Sequence, residues 1–175
     1  MVAGCAGSGK STLARDLASR TGLPLVEWDG LGVLGSPEYR AAISRMAAGP
    51  RWILDGAPYY ADEFVYAAAD TVIFLDYPKR VVMWLVLRRT LRIELARRAA
   101  ARHRPQGLAA WRDAEHPVRW AWFSHRDRHR EGLVLTARPE LADAQIIRFT
   151  RPAMAIRWLG NCRPAFTMRP TLHDG

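Results

Sequence analysis

Short apolar runs alternate along the chain with longer stretches in which apolar residues recur at helical spacing. Runs at 25–28, 51–54, 71–75 and 145–149 lie between polar or turn residues, and a further run at 1–3 opens the chain. Apolar runs of this length and setting are typical of buried strands. The pattern predicts five strands separated by helices, as in an α/β sheet. Three residues is short for a buried strand, so we expect the first strand to be clipped or to begin upstream of Met1.

The intervals between these strands carry helix signals. Ser36 followed by Pro37 is an N-cap with proline at the first helical position, which predicts a helix over 37–48. Further helices are predicted at 11–20, from 79 to about 98, at 116–130 and from 152 through 159. Residues 133–136 fit either a short strand or the end of a helix.

Arginines interrupt the apolar face of the longest predicted helix. The residues at helical spacing on that face are Val81, Trp84, Leu85, Arg88, Leu91, Arg92 and Leu95. Because a buried, unpaired guanidinium is costly, we expect Arg88 and Arg92 to meet a phosphate or an acidic partner. The alternative is that the apolar stripe runs out into solvent here.

Aromatic and basic residues are interleaved in the helix predicted at 116–130. Arg119, Arg126 and Arg130 fall on one face near Trp122 and Phe123. Such a face can stack nucleic-acid bases. Alternatively, the aromatic residues, Trp120 included, pack the helix while its arginines clamp a nucleotide.

Composition favours one soluble domain in a reducing cytoplasm. A chain of 175 residues, 49% of them hydrophobic, suits a single core, which we place at 1–159. Residues 160–175 are predicted to be a disordered tail. Cys5 and Cys162 form neither a disulfide framework nor a paired-cysteine metal motif. No signal-like start or membrane-length apolar run is present, so we expect no membrane partner, and the oligomeric state is left open.

The positive charge is concentrated in one segment. The net charge is +9, yet Lys79 to Arg130 alone holds 14 basic and four acidic residues. Such a segment can grip polyphosphates, whereas a high isoelectric point alone is weak support for nucleic-acid binding.

One glycine-rich stretch carries the clearest chemistry. Gly4, Gly9, Lys10 and Ser11 satisfy the fixed positions of G-x-x-x-x-G-K-[ST], between an apolar run and a helical pattern. In such a loop the backbone N–H groups point at phosphate oxygens, Lys10 reaches the β- and γ-phosphates, and the Ser11 hydroxyl binds Mg²⁺. The residues expected to cradle ATP are Gly4, Cys5, Ala6, Gly7, Ser8, Gly9, Lys10, Ser11 and Thr12.

Acidic residues follow three of the predicted strands. Asp29-Gly30 and Asp55-Gly56 come directly after the second and third strands, at the end of the sheet where ligands bind. Either carboxylate can hold Mg²⁺ through water or accept a substrate proton, and the alternative is a simple turn. Asp76 follows the fourth strand and precedes Tyr77-Pro78, which favours helix capping.

The chain resembles the P-loop kinases of the nucleoside-monophosphate-kinase type. Within them it is most similar to the adenylate-kinase-like proteins labelled topology modulation proteins. The matching residues are 4–12, Trp28-Asp29, Trp52 to Gly56, Ala69 to Asp76 with Pro78, and Arg88-Arg89. The resemblance implies a five-stranded parallel sheet flanked by helices, with an arginine-rich lid at about 88–130.

The resemblance also implies roles for individual residues. Asp55 would organise Mg²⁺, Asp29 would face the acceptor, and Arg88 or Arg89 with Arg126 would close on the ATP phosphates. One departure concerns the acceptor. The Asp-Gly after the third strand continues as Ala-Pro-Tyr here, instead of the phenylalanine-proline-arginine run whose arginine holds an acceptor phosphate in monophosphate kinases.

Two hypotheses follow. The first is an ATP-dependent phosphotransferase that acts on an unidentified small acceptor, either nucleotide-like or a hydroxylated metabolite. The second is a nucleotide-binding regulator that contacts DNA or RNA through its basic segment. A basic stripe on a surface remote from the phosphate loop would favour the second.

Overall fold

A computed structural model of the chain describes residues 1–31, 33, 35–56, 63–99 and 116–162. Its five strands are β1 (Val2–Gly4), β2 (Leu25–Glu27), β3 (Ile53–Asp55), β4 (Thr71–Leu75) and β5 (Gln145–Phe149). They form one parallel sheet in the order β2-β3-β1-β4-β5. The five-stranded parallel sheet is therefore confirmed. Whether the natural chain begins upstream of Met1 stays a prediction.

The strand register shows which residues reach the carboxyl edge of the sheet. Gly4 pairs with Leu75, and Leu75 pairs with Phe149, so β1, β4 and β5 end level with one another. Glu27 pairs with Asp55, and Asp55 pairs with Val2, so β2 and β3 end together about two residues lower. All five strands thus deliver their following residues to the same edge, where the phosphate loop leaves β1.

Among the described residues, six α-helices flank the sheet. They are α1 (Lys10–Thr21), α2 (Pro37–Ala48), α3 (Glu63–Ala67), α4 (Lys79–Ala99), α5 (Pro117–Thr136) and α6 (Pro152–Asn161). The predicted cap of α2 is confirmed, since the Ser36 hydroxyl accepts a hydrogen bond from the Tyr39 N–H at 3.1 Å. The ambiguous stretch 133–136 is the end of α5. Gly160 and Asn161, which the sequence assigned to the tail, belong to α6, and the tail from 163 onward lies outside the described residues.

Two apolar cores lie on the two faces of the sheet. Alternate residues of β4 point to opposite sides: Ile73 and Leu75 join one core, whereas Val72 and Phe74 join the other. The first core is completed by buried residues of α1, α4 and α6, and the second by those of α2 and α3. This arrangement confirms the three-layer α/β/α fold. No helix in the described ranges is long and apolar enough to cross a membrane.

The buried face of α4 differs from the predicted one. Val82 and Val86 are the residues that α4 buries, at 0% and 5% exposure, whereas Trp84 is 62% and Leu95 63% exposed. Arg88 and Arg92 are exposed as well. Val81 and Leu85 of the predicted stripe do pack against the first core, and among the described residues the stripe runs out into solvent from Arg88 onward. Binding of phosphate by Arg88 and Arg92 stays a prediction.

The aromatic residues of α5 are also more exposed than helix packing would require. The exposed fractions of Trp120, Trp122 and Phe123 are 52%, 51% and 69%. Trp122 carries the Lys79 ammonium over its ring at 3.6 Å. The alternative in which these aromatic residues pack the helix is therefore wrong, and they form an outward surface.

Helix α5 passes from one core to the other. Ala121, near its start, lies in the first core, and Leu135, near its end, lies in the second. At Gly132 the helix backbone lies directly on the Phe74 ring, because a Cβ added there would overlap that ring. The middle of α5 therefore lies at the carboxyl edge of β1 and β4.

We expect Gly132→Ala to destabilise the fold. A methyl group forced against an enclosed ring costs about 1–3 kcal/mol, and the gain in helix propensity returns about 1 kcal/mol. A net loss of up to about 2 kcal/mol in the free energy of unfolding is therefore expected, measured by urea denaturation.

Gly160→Ala is the control. Gly160 is helical like Gly132, but it is exposed, and a Cβ there would meet nothing within 4 Å. It should leave stability unchanged or slightly higher. Equal stability of the two variants would show that α5 does not lie on Phe74 as described.

Candidate functional site

The glycine-rich loop between β1 and α1 has the backbone that a phosphate cradle needs. Gly7 and Gly9 adopt φ angles of 81° and 88°, which favour glycine. A Cβ on Gly7 would also overlap Val86 of α4. The loop is thus held between the sheet and α4, and only glycine fits at position 7.

Helix α1 presents its N-terminal end to the space within this loop. Its first intrahelical hydrogen bond runs from the Leu13 N–H to the Gly9 carbonyl at 2.9 Å, so the amides of Lys10, Ser11 and Thr12 have no partner within the helix. Backbone donors and a positive helix end at one place form an anion site. Lys10 and Ser11 are half-buried beside it.

Two oxygen atoms near the loop are buried without a hydrogen-bond partner among the described residues. They are the Ser8 hydroxyl oxygen and Oδ1 of Asp55. Asp55 is 8% exposed at the end of β3, the neighbour of β1. Burying a carboxylate oxygen without a partner is costly, and such atoms indicate a ligand or a catalytic role.

The donors at this place fit Mg²⁺. The Ser11 hydroxyl and the Asp55 carboxylate are hard oxygen ligands, which Mg²⁺ prefers in combination with waters and substrate phosphates. Within the described part of the chain, no group of three or more His, Cys, Asp or Glu side chains forms a complete metal cage. Ser11 and Asp55 are the residues that would hold the ion.

Asp29 lies one strand farther from the loop. It belongs to a 3₁₀ turn at Trp28–Gly30, directly after β2, and its side chain is exposed. The Trp28 ring packs edge-on against Tyr39 at 5.3 Å between centroids. The premise that Asp29 and Asp55 leave parallel strands at the same edge is confirmed; their separate roles stay predictions.

The arginines predicted to bind phosphate lie farther out. Arg88 and Arg89 are exposed on α4, and Arg126 is exposed on α5. No contact between them and the loop is found in the described residues. Residues 100–115 of the predicted lid lie outside the described part of the chain.

A different arginine lies beside the loop. Burial, and then the Asp76 carboxylate, raise the pKa of the Cys5 thiol to about 11, while Lys10 and Arg128 act in the opposite direction. Cys5 is thus a neutral thiol at neutral pH, which argues against a nucleophilic role. Arg128 lies on the same face of α5 as His125, three residues before it, whose carbonyl oxygen is 3.8 Å from the Cys5 thiol.

Asp76 is the centre of a buried polar cluster that the sequence did not reveal. Its Oδ1 accepts a hydrogen bond from His129 Nδ1 at 2.6 Å, and its Oδ2 accepts hydrogen bonds from Nε and Nη2 of Arg148, the first at 2.7 Å. The expected helix-capping role is therefore wrong, since the carboxylate binds α5 and β5. The only local sign of this cluster in the sequence is the four-residue spacing of His125 and His129, which places both on one face of α5.

Comparisons with known proteins add little to this geometry. No family model and no curated protein matches the chain. Among solved structures, a gluconokinase from Sinorhizobium meliloti 1021 aligns with a TM-score of 0.48 at 16% sequence identity, over 90% of this chain and 86% of that one. Likeness at this level carries no functional argument, so the assignment below rests on the site itself.

Proposed function

We propose that the chain is an ATP-dependent phosphotransferase that acts on a small acceptor. The observation that carries the proposal is the phosphate loop at the N-terminus of α1, with the buried, unpartnered Oδ1 of Asp55 on the adjacent strand. A regulator that only binds a nucleotide needs the loop alone. A buried carboxylate beside the loop is needed in addition for metal-assisted chemistry.

In this proposal each residue acts by binding or charge. The amides of the loop and Lys10 hold the β- and γ-phosphates and stabilise the charge that develops during transfer. Ser11 and Asp55 would hold Mg²⁺, which when bound neutralises phosphate charge. Asp29 faces the acceptor and takes the proton from its hydroxyl group.

The basic residues are proposed to act in two steps. Arg128 lies on the face of α5 where the His125 carbonyl oxygen contacts Cys5 of the loop, whereas Arg88, Arg89 and Arg126 approach the phosphates on closure of the arginine-rich segment. The narrower resemblance to topology modulation proteins and a cytoplasmic location are part of the same proposal.

A substrate screen tests the activity. Purified protein with ATP and Mg²⁺ would be incubated with nucleoside monophosphates, nucleosides and small hydroxylated metabolites, and ADP release would be followed. We expect acceptor-dependent ADP release with one of these classes. ADP release that is absent with every class, despite ATP binding, would contradict the proposal.

Arg128→Gln is expected to weaken the binding of ATP more than Arg126→Gln does. Arg128 influences the Cys5 thiol in the loop, whereas Arg126 is exposed on α5. Loss of one charged contact to phosphate is worth about 1.5–3 kcal/mol, so we expect KM for ATP to rise at least about tenfold for Arg128→Gln. For Arg126→Gln we expect KM for ATP to rise about threefold or less, because its proposed contact with phosphate forms only on closure and therefore affects kcat.

The two variants form a matched pair, since both remove one guanidinium from the same helix. Steady-state kinetics with varied ATP measures the difference. An equal or larger rise in Arg126→Gln would show that Arg126 is the arginine that reaches the phosphates.

A second candidate function is favoured by the outward face of α5. Arg119, Arg126 and Arg130 line one row of that helix, with exposed Trp122 and Phe123 on either side. Arginine rows flanked by aromatic rings bind single-stranded nucleic acids through phosphate contacts and base stacking. This surface is turned away from the buried face of α5, as the regulator hypothesis requires.

Binding of a labelled single-stranded oligonucleotide, measured by anisotropy over a range of salt concentrations, tests this candidate. Three phosphate contacts predict a slope of about −2 in a plot of log K against log salt. Phe123→Ala should weaken binding at every salt concentration. A flat salt dependence, or no binding at low salt, would remove this candidate.

A further inference from the structure

We propose that Asp76 is a positioning residue that holds the middle of α5 at the carboxyl edge of the sheet and thereby keeps Arg128 beside the phosphate loop. The role of Arg128 rests on the proposed function. The restraint on α5 does not.

The argument begins with the path of α5. Its two ends are packed into the two apolar cores through Ala121 and Leu135. Between them, the helix backbone lies on the Phe74 ring at Gly132, and it also makes polar contacts with the sheet edge. His125 Nε2 lies 3.0 Å from the Tyr77 carbonyl oxygen, and the Cys5 thiol lies 3.8 Å from the His125 carbonyl oxygen.

The strongest of these polar contacts is made by Asp76. Its side chain is 6% exposed, and both carboxylate oxygens are engaged, one by His129 and the other by Arg148. A buried carboxylate requires such partners, because losing one leaves a charge uncompensated in the interior. Asp76 therefore ties three elements together at one point: the end of β4, the middle of α5 and β5.

The position of His129 connects this cluster to the loop. Arg128 precedes His129 directly in α5, so the rotation of the helix that places His129 on Asp76 also determines where Arg128 points. Arg128 is further held by Glu131 at 3.0 Å. Arg128 also lies on the same face of α5 as His125, three residues before it, whose carbonyl oxygen lies 3.8 Å from the Cys5 thiol of the loop. By holding His129, Asp76 thus holds the face of α5 that carries Arg128 toward the loop.

Hydrogen exchange of the full chain without nucleotide tests the restraint on α5. In Asp76→Asn we expect amides of the middle of α5 to exchange at least about tenfold faster, while those of α6 stay unchanged. Ile43→Val, a buried change on α2, is the control for a general loss of stability. Unchanged exchange in α5, or an equal rise in the control, would overturn the proposal.

Two substitutions of His129 keep the test decisive if Asp76→Asn does not fold. His129→Asn retains a donor near the position of Nδ1, whereas His129→Ala removes it. We expect the amides in the middle of α5 to exchange at close to the natural rate in His129→Asn and fast in His129→Ala. Equally fast exchange in both would show that the hydrogen bond to Asp76 does not hold the helix.

A double-mutant cycle on ATP affinity tests the link to Arg128. If Asp76 acts through Arg128, the loss caused by Arg128→Gln should shrink from about tenfold to about twofold or less in the Asp76→Asn background. Additive losses would overturn the positioning role, even where exchange shows a loosened helix. If the chain binds no ATP, the proposed function fails while the exchange experiment still tests the restraint.

Discussion

Lys10→Ala is expected to lower kcat/KM for ATP-dependent transfer by about 10² or more, because it removes the charge that stabilises the transferring phosphoryl group. Folding should change little, since Lys10 is only half-buried at the first position of α1. Steady-state kinetics and thermal unfolding of the same preparation measure the two effects.

Lys79→Ala is a suitable control for this variant. Lys79 is the other lysine of the chain, and its ammonium lies over the Trp122 ring. We expect its loss to affect turnover by about threefold or less, because a partly exposed cation–π contact contributes about 0.5–1 kcal/mol. Turnover of Lys10→Ala equal to that of Lys79→Ala would contradict the role given to Lys10.

Asp55→Asn is expected to raise the Mg²⁺ concentration needed for half-maximal rate by about 10–100-fold. The substitution keeps the shape of the side chain and removes the negative charge near the phosphate loop. Titration of Mg²⁺ at saturating ATP measures the effect. Without ligands the variant should unfold at the same or a higher temperature, because a buried amide costs less than a buried carboxylate with a free oxygen.

Asp29→Asn distinguishes the role of Asp29 from that of Asp55. It should depress transfer to the acceptor while the affinity for ATP and the Mg²⁺ requirement stay nearly unchanged, since Asp29 lies one strand farther from the loop. A shifted Mg²⁺ requirement in Asp29→Asn but not in Asp55→Asn would reverse the assignment of the acids.

Local signals predicted most of the fold. β4 and β5 were predicted residue for residue, because each holds isoleucine and phenylalanine in a five-residue segment bounded by polar or turn residues. The cap of α2 was equally local, since Ser36 and Pro37 act on the first turn of the same helix. Such elements are determined by neighbours a few residues away, which a sequence displays directly.

The rotation of the two long helices could not be predicted in the same way. The first turns of α4 are apolar on nearly every side, from Val81 to Leu87, so periodicity does not select one face. The face is selected by tertiary contact, where Val86 meets Gly7 of the loop. On α5 the same limit left Arg128 unidentified, and the role given to Arg126 stays a prediction.

The part of the candidate site that depends on local sequence was predictable, and the part that depends on distant residues was not. The phosphate loop is one continuous motif, and Asp55 follows a recognisable strand, so both could be read from the sequence. The partners of Asp76 lie 53 and 72 residues away, at His129 and Arg148. Only the folded chain brings them together.

Phosphorus NMR of the protein with ATP, Mg²⁺ and the acceptor classes tests the central claim most directly, because it follows the γ-phosphoryl group itself. The account predicts a new signal that grows with ADP, from a phosphoester with a hydroxyl acceptor or a phosphoanhydride with a monophosphate acceptor; the signal needs one acceptor class and is abolished by Lys10→Ala. Unchanged ATP, or ADP formed only with inorganic phosphate whichever acceptor is present, would contradict it.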